Sequence, residues 1–171
     1  FQVEGVVCWV FLDGYFRLEK EALVSTGRNA FFILEPGYQL VLEKEKERLV
    51  ITVLNETKQV DGVETRVVEE RETDDSQVVE VSRNYFAISK RTGNVYYFGE
   101  DVDIYKNGKV AAHDGSWLSG VNGARFGLMM AAVPLVGAKY YQEVAPQVAM
   151  DRAEIVGVKE TFKTPAGGFK S

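Results

Sequence analysis

Short segments rich in β-branched residues, separated by turn signals, fill residues 38–112. Asp61-Gly62 and Asn107-Gly108 are strong hairpin signals, because both central positions of a tight two-residue turn need positive φ. Between the turns, Val, Ile and Thr alternate with charged residues, a pattern typical of strands with one solvent-exposed face. Connections this short join neighbouring antiparallel strands, so the sequence predicts an antiparallel meander.

The rest of the chain extends this β pattern. Five glycines and a proline in the apolar segment 115–137 predict a long ordered loop over the mouth or open edge of the sheet. Strand character resumes at 138–145 and 152–162, whereas residues 13–25 could form a short N-terminal helix. We therefore expect one mainly β domain over residues 1–171, an antiparallel calycin-like barrel or a sandwich, with residues 1–28 a less certain extension.

Composition argues against several classes of partner. The net charge is −5, and no run of Lys and Arg resembles a nucleic-acid footprint. Apolar windows such as 5–12 and 128–137 fall short of the roughly 18–20 residues that a membrane span needs. Cys8 is the single cysteine, which excludes an internal disulfide and a multi-cysteine metal site. We expect no nucleic-acid partner and no membrane span.

Residues for nucleophilic catalysis are scarce. His113 is the sole histidine, and no G-x-S-x-G pattern or phosphate-binding glycine motif occurs. Asp114 is its neighbour, and adjacent strand residues point to opposite faces, so Asp114 is poorly placed to orient the imidazole. His113 therefore reads as an exposed or hydrogen-bonded turn residue, and the chain leans towards a non-catalytic function.

Carboxylates offer the best candidates for a metal site. The spacing of Asp101, Asp103 and Asn107 does not fit an EF-hand loop, whose twelfth position would fall on Ala112. A different divalent-metal site, for calcium, would use Glu100, Asp101, Glu143 and Asp151. The last two also lie in apolar surroundings, which makes them the best pair for carboxylate-based catalysis. No other cofactor is predicted.

Aromatic residues cluster in the hairpin region and in the strand after the glycine-rich segment. In a barrel, alternation sends about half of them inward, where they either fill the core or line a pocket. Both alternatives stay open on the sequence alone. The predicted pocket residues are Tyr97, Tyr105, Trp117, Met129, Met130 and Tyr141, with Trp117 and the two methionines as lid residues.

A series of motifs between residues 29 and 169 supports a resemblance. In order they include NAFFILEPGYQLVLE, NVYYFGEDVDIYKNGKVAAHDGSW, GVNGARFGLMM, VGAKYYQEVAPQVAMDRAEIVGV and TPAGGF. This series resembles a family of uncharacterised bacterial extracytoplasmic, lipoprotein-like β-proteins with no settled function. The resemblance implies an exported protein, periplasmic, cell-surface or secreted, whose precursor could carry a lipid anchor.

Two departures from the family pattern matter. Met130-Ala131-Ala132 stands where relatives have MPA, and Ala30-Phe31-Phe32-Ile33-Leu34 stands where they have PYFPL. The family pattern also continues past TPAGGF through two closing strands. We therefore expect an open sheet edge that another segment must cover.

Three functions follow as hypotheses. The first is non-catalytic binding of a small, partly apolar ligand inside the barrel or under segment 115–137. The second is a structural role, in which the open edge pairs with another chain or with further copies of this one. The third is a carboxylate- or metal-dependent enzyme.

Overall fold

The computed structural model describes residues 20–170, and this part of the chain is almost entirely β. It holds no helix long and apolar enough to cross a membrane. A 3-10 turn over Lys20–Ala22 precedes the strands. The first eight strands are β1 Leu23–Val24, β2 Gly27–Arg28, β3 Ile33–Leu34, β4 Gln39–Lys44, β5 Glu47–Val60, β6 Val63–Asp74, β7 Gln77–Ser89 and β8 Val95–Lys106. The others are β9 Lys109–Ala112, β10 Trp117–Leu118, β11 Arg125–Met130, β12 Lys139–Tyr141, β13 Glu143–Val144, β14 Arg152–Glu154, β15 Thr161–Thr164 and β16 Gly167–Lys170.

One antiparallel sheet forms most of the described structure and curls into a half-barrel. Its strand order is β13-β11-β8-β7-β6-β5-β4. Strands β9, β10 and β11 pair in succession along the same edge of β8, and β1 pairs with the end of β7. The pairs β2–β3, β12–β14 and β15–β16 form small separate sheets. The prediction of a mainly β, barrel-like domain is confirmed.

The predicted turns lie where the sequence places them. Asp61 and Gly62 have φ values of 49° and 77°, and Asn107 and Gly108 have 53° and 72°. These are the left-handed values that the predicted hairpins require. The resulting registers are continuous over long stretches, with Val60 opposite Val63 at one turn and Lys106 opposite Lys109 at the other.

Both faces of the sheet bury a hydrophobic core. Tyr96 and Tyr97 are adjacent on β8 and therefore point to opposite faces. The core on the Tyr97 face consists of Leu34, Val53, Val68, Phe86, Ile88, Val95, Tyr97, Trp117, Ala124 and Ala145. The core on the Tyr96 face consists of Leu23, Val60, Val63, Val67, Tyr85, Ala87, Tyr96 and Phe98. The core on the Tyr96 face is formed by strands of the main sheet alone, whereas β3 and two loops contribute Leu34, Ala124 and Ala145 to the core on the Tyr97 face.

A β-bulge at Gly99 interrupts the alternation along β8. Tyr97 pairs with Phe86 and Glu100 pairs with Asn84, so three residues of β8 advance where β7 advances by two. Tyr97 and Glu100 consequently share a face. Gly99 has a φ of 141°, and a Cβ atom there would lie 2.3 Å from the carbonyl oxygen of Trp117. Glycine is required for β10 to approach β8 this closely.

Segment 115–137 differs from its prediction as a loop. It contains β10 and the six-residue strand β11, so Met129 and Met130 lie in the main sheet instead of in a lid. Gly127 supplies the physical reason, because a Cβ there would meet the carbonyl oxygens of Tyr141 and Gln142 at 2.5 Å. This glycine permits β11 to approach the backbone of residues 141–142 closely and does not mark a flexible segment.

Other predictions are met in part. The strand predicted at 138–145 is divided into β12 and β13, and that at 152–162 is confined to β14 and the start of β15. The helix predicted over 13–25 lies mostly outside the described residues, and its described end is the 3-10 turn followed by β1. Cys8 also lies outside the described residues.

Candidate functional site

A cleft of about 240 Å³ opens beside β8 between two tight loops. The first loop, residues 119–124, follows β10, and the second, residues 145–149, follows β13. The apolar lining residues are Leu118, Val121, Ala124, Ala145, Pro146 and Val148. The lining is completed by one aromatic residue, Trp117, and by three polar residues, Asp101, Ser116 and Asn122. The cleft therefore combines an apolar wall with a few polar groups, as small-molecule sites commonly do.

The first loop is held by its own backbone and by a neighbouring hairpin. Gly120 N donates to Ala124 O at 2.9 Å, and Ala124 N donates to Val121 O at 2.9 Å. The Ser119 hydroxyl donates to Asp61 Oδ2 at 2.9 Å, which ties this loop to the turn between β5 and β6. These bonds fix the position of Val121, whose side chain is 50% exposed at the mouth of the cleft.

The second loop is held by a short bridge and by a buried carboxylate. Ala145 N donates to Ala149 O at 2.7 Å, and Val148 N donates to Ala145 O at 2.9 Å. Below them, Glu143 Oε1 accepts a 2.6 Å hydrogen bond from Asp151 N. Glu143 is buried, and that burial raises the pKa of its carboxyl although the Asp151 N–H opposes the shift. The loop presents Val148, 51% exposed, opposite the first loop.

Trp117 links the cleft to the core. Its side chain is 6% exposed and meets the Tyr97 ring edge-to-face, with 5.2 Å between centroids. Its register partner on β8 is Glu100. Within the described structure, the indole Nε1 is buried and makes no hydrogen bond of acceptable geometry. Buried donors are normally satisfied, and the carboxyl of the cross-strand partner Glu100 is the acceptor that this N–H favours.

Glu100 has a strongly perturbed carboxyl. Burial raises its pKa to about 7, although the Tyr97 hydroxyl and the nearby Trp117 N–H both favour the charged form. Glu143 and Glu80 add like-charge repulsion, which raises the pKa further. The Tyr97 hydroxyl itself donates to Asn84 Oδ1 at 2.5 Å. A carboxyl that titrates near neutrality therefore lies behind the cleft wall.

Asp101 occupies the polar side of the cleft and is held from the Tyr96 face. Its Oδ2 accepts hydrogen bonds from Lys58 Nζ at 2.7 Å and from the Tyr85 hydroxyl. Lys58 Nζ also lies 4.2 Å from the centroid of the Tyr85 ring. Burial raises the pKa of Asp101, but Lys58, Tyr85 and Arg83 outweigh it, and the net pKa is lowered. Asp101 is therefore an ionised, oriented acceptor.

Of the six residues predicted to bind ligand, Trp117 lines the cleft. Tyr97 is buried in the core behind it, and Met129 and Met130 pack against that core. Tyr105 pairs with Val110 at the β8–β9 hairpin, away from the cleft. Tyr141 lies on β12 with the Arg152 guanidinium 5.7 Å from its ring centroid. The structure thus brings Trp117 and Tyr97 together and separates the other aromatics.

The four carboxylates predicted as metal ligands are not brought together. Between residues 20 and 170, no group of three or more His, Cys, Asp and Glu side chains is placed to share a metal ion. The charge of Glu143 raises the pKa of Glu100, whereas Asp101 binds Lys58 and Asp151 contributes its backbone N–H. His113 is exposed, with Nδ1 2.9 Å from both Val102 O and Asp103 Oδ1.

Sequence reasoning missed most of the cleft. The two loops are more than twenty residues apart in the chain, and only the pairing of β10, β11 and β13 brings them together. The sequence does contain local turn signals for each of the two loops. Asn122 and Gln147 have positive φ values of 51° and 67°, so each loop contains a left-handed turn position. Asn122-Gly123 and Pro146-Gln147 are turn-type dipeptides that would indicate two tight loops, although not their contact.

Comparisons of the chain with protein-family models, curated proteins and solved structures gave no match. The resemblance described above therefore stays a prediction. Function is inferred below from the geometry of the cleft and of the sheet edge.

Proposed function

We propose that this protein binds a small, partly apolar ligand in the cleft between residues 119–124 and 145–149. The observation that carries the proposal is Trp117, a buried aromatic side chain that lines the cleft between the two loops. Val121 and Val148 add half-exposed apolar surface at the mouth. Aromatic and aliphatic walls with a few polar groups are the usual lining of small-molecule sites.

Preformed walls support the same proposal. Each loop is closed by backbone hydrogen bonds and tied to the sheet by a carboxylate, Asp61 for the first and Glu143 for the second. Loops held in this way lose little conformational freedom when a ligand binds, which favours affinity for a small molecule. The location also agrees with the hypothesis of a ligand under segment 115–137.

Binding can be tested with indole, cyclohexanol and benzyl alcohol as probes in two-dimensional ¹H–¹⁵N NMR. The expected result is saturable shift changes at the Trp117 indole N–H and at the amides of Val121, Ala145 and Val148. Shift changes scattered over other surfaces, or none at millimolar probe concentrations, would contradict the proposal.

A filling substitution provides the control. Val148→Trp places a large ring at the mouth and is expected to abolish the shift changes at Trp117. Val133→Trp introduces the same ring at a side chain that is 72% exposed and does not line the cleft. Probes should bind that variant as they bind the wild type. If the probes bound both variants equally well, the cleft would not be the binding site.

The sheet edge at β4 favours a second candidate function, self-association. Strand β4 pairs with β5 on one side and has no strand on its other side within the described residues. Leu40, Val41 and Leu42 are 44%, 46% and 52% exposed. An apolar edge strand with free backbone groups is a template for pairing with another strand.

Sedimentation velocity over a range of protein concentrations tests this candidate. The wild type is expected to form dimers or larger species, and Leu42→Lys is expected to shift the population to monomer. Leu135→Lys, at a side chain that is 67% exposed outside the edge, is the matched control. A wild type that stays monomeric at high concentration would exclude self-association through β4.

We also propose, from the sequence resemblance, that the protein acts outside the cytoplasm.

A further inference from the structure

The β15–β16 hairpin has little support from the rest of the described structure. Its two strands form a separate two-stranded sheet, in which Phe162 lies opposite Phe169. The two rings are 60% and 54% exposed, and every residue of β15 is exposed. An isolated two-stranded hairpin is marginally stable in water and normally needs a further strand or a packed apolar face. The aromatic face of this hairpin is therefore left uncovered by the described part of the chain.

Strand β4 carries its exposed leucines beside an acidic part of the same sheet face. The register places in one row across β4, β5, β6 and β7 the residues Leu40, Ile51, Glu70 and Ser82. The next row consists of Leu42, Leu49, Glu72 and Glu80. Residues two apart on a strand point to the same side, so both rows continue the face of Val53, which belongs to the core on the Tyr97 face. An apolar strip on β4 and β5 therefore borders an acidic strip on β6 and β7.

One contact would satisfy both the hairpin and the edge. A strand added to the free edge of β4 pairs with its unpaired backbone groups and extends the rows of side chains on each face. Strand β15 can place Phe162 beside Leu40 and Leu42, with Thr161 and Lys163 on the opposite face. Its Thr and Phe residues suit a strand, whereas β16 begins with two glycines, which weaken strand pairing.

The charges of the two surfaces are opposite in sign. Residues 157–170 contain three lysines and one glutamate, whereas the two rows on the sheet contain three glutamates and neither Lys nor Arg. Burial and repulsion from neighbouring carboxylates raise the pKa values of Glu70 and Glu80. Lys163 points away from the Phe162 side of β15, so its charge acts by steering the approach and not by an ion pair with these carboxylates. Two β4 edges, in contrast, would bring together surfaces of the same charge.

We propose that strand β15 of a second copy of this chain pairs with the free edge of β4 and packs Phe162 beside Leu40 and Leu42. This inference rests on the self-association proposed above and names the element that covers the edge. The hairpin is exposed in its own chain, which leaves it available to another copy. Each copy offers one edge and one hairpin, so the interface is heterologous and builds rings or open chains.

Mixing two defective variants tests this pairing by sedimentation velocity. Leu42→Lys spoils the edge and keeps the hairpin, whereas the double variant Phe162→Ser/Phe169→Ser spoils the hairpin and keeps the edge. Each variant alone is expected to be monomeric, and the association constant of the double variant should fall about tenfold for each ring removed. An equimolar mixture should form a one-to-one dimer, because one intact edge meets one intact hairpin and neither can extend the assembly.

Val133→Ser/Leu135→Ser is the matched control. It removes two apolar side chains that are 72% and 67% exposed and that lie outside both β4 and the hairpin. This variant should associate as the wild type does.

The outcomes separate this inference from the proposed self-association. If the phenylalanine double variant associates as tightly as the wild type while Leu42→Lys is monomeric, the β4 edge stands as an interface and the hairpin is not its partner. If both variants are monomeric and their mixture is monomeric as well, pairing between the hairpin and the edge is overturned. A wild type that is monomeric at all concentrations overturns both proposals.

Discussion

Glu100 and Trp117 are direct partners in the pairing of β10 with β8, and the Trp117 indole N–H favours the charged form of the Glu100 carboxyl. The indole N–H is buried without a hydrogen bond of good geometry, and the carboxyl is buried enough to raise its pKa to about 7. The cleft wall is therefore backed by a titratable group.

This pairing predicts a pH-dependent stability. The folded-state pKa of Glu100 is about 7, above the 4.5 of an ordinary Glu, so the folded protein holds this proton to higher pH than the unfolded chain. Its contribution to stability is full below about pH 4.5 and is lost as pH rises through 7. After allowance for solvent screening, the loss is about 1–2 kcal/mol.

Urea unfolding between pH 4 and 8.5 measures the effect. Glu100→Gln should make the protein relatively more stable than wild type at pH 8 and leave a smaller difference at pH 4.5. Glu56→Gln, at an exposed side chain, should run parallel to wild type. A constant difference between Glu100→Gln and wild type at all pH values would contradict the assigned pKa.

A glycine comparison isolates the close approach of β10 to β8. Gly99 and Gly108 both have positive φ, but a Cβ meets the Trp117 carbonyl oxygen at 2.3 Å in the first case and nothing within 4 Å in the second. Gly108→Ala should cost about 1 kcal/mol of unfolding free energy, from backbone strain alone. Gly99→Ala should cost about 3 kcal/mol or more, because the strands must also separate. Equal costs in thermal unfolding would show that the approach is not this tight.

Arg66 is predicted to be a structural centre on the Tyr97 face. It is 6% exposed and donates to the carbonyl oxygens of Ser25, Leu54 and Glu56 and to the Thr26 hydroxyl. These bonds hold the N-terminal segment against an irregular stretch of β5. Arg66→Leu should cost about 3 kcal/mol, since buried carbonyls lose charged donors.

Chemical denaturation of Arg66→Leu and Arg83→Leu provides the comparison. Arg83 is half-exposed and lies 3.5 Å from Glu69, so its loss should cost less than about 1 kcal/mol. A small cost at Arg66 would mean that water replaces its hydrogen bonds without penalty.

Glu143 is predicted to control the stability of the second loop of the cleft. Its Oε1 accepts from Asp151 N at 2.6 Å, and Glu143→Leu removes that acceptor while keeping a similar volume. Hydrogen exchange at the Asp151 amide should accelerate about tenfold or more, as expected for the loss of a hydrogen bond to a carboxylate. Glu154→Leu, at an exposed position of β14, should leave that amide unchanged. Equal exchange in both variants would show that another group protects the amide.

Local chemistry made the hairpins predictable. Asp61-Gly62 and Asn107-Gly108 impose left-handed backbone whatever surrounds them, so the meander could be derived from the sequence. Segment 115–137 could not be derived in the same way. The role of Gly127 depends on the backbone of residues 141–142, a contact that exists only after β11 and β13 pair.

The cleft shows the same limit. The sequence predicted Trp117 as a ligand-binding residue and Asp101 as a metal ligand. The fold assembles neither predicted group as a whole, but it places these two residues in the lining of one cleft. Their shared position arises from the register of β10 with β8 and from the loop after β13. The residue pattern within a single strand cannot predict that two residues from different strands will line the same cleft.

The bulge at Gly99 gives β8 one more residue than β7 between two fixed pairs. Regular alternation would place Tyr97 and Glu100 on opposite sides of the sheet, and the extra residue at the bulge places them on the same side. That extra residue brings the buried side chain of Phe98 into the core on the Tyr96 face. Deletion of Phe98 would leave Tyr97 opposite Phe86 and Glu100 opposite Asn84, so the bulge adds a core side chain to one face without shifting the register of the strand.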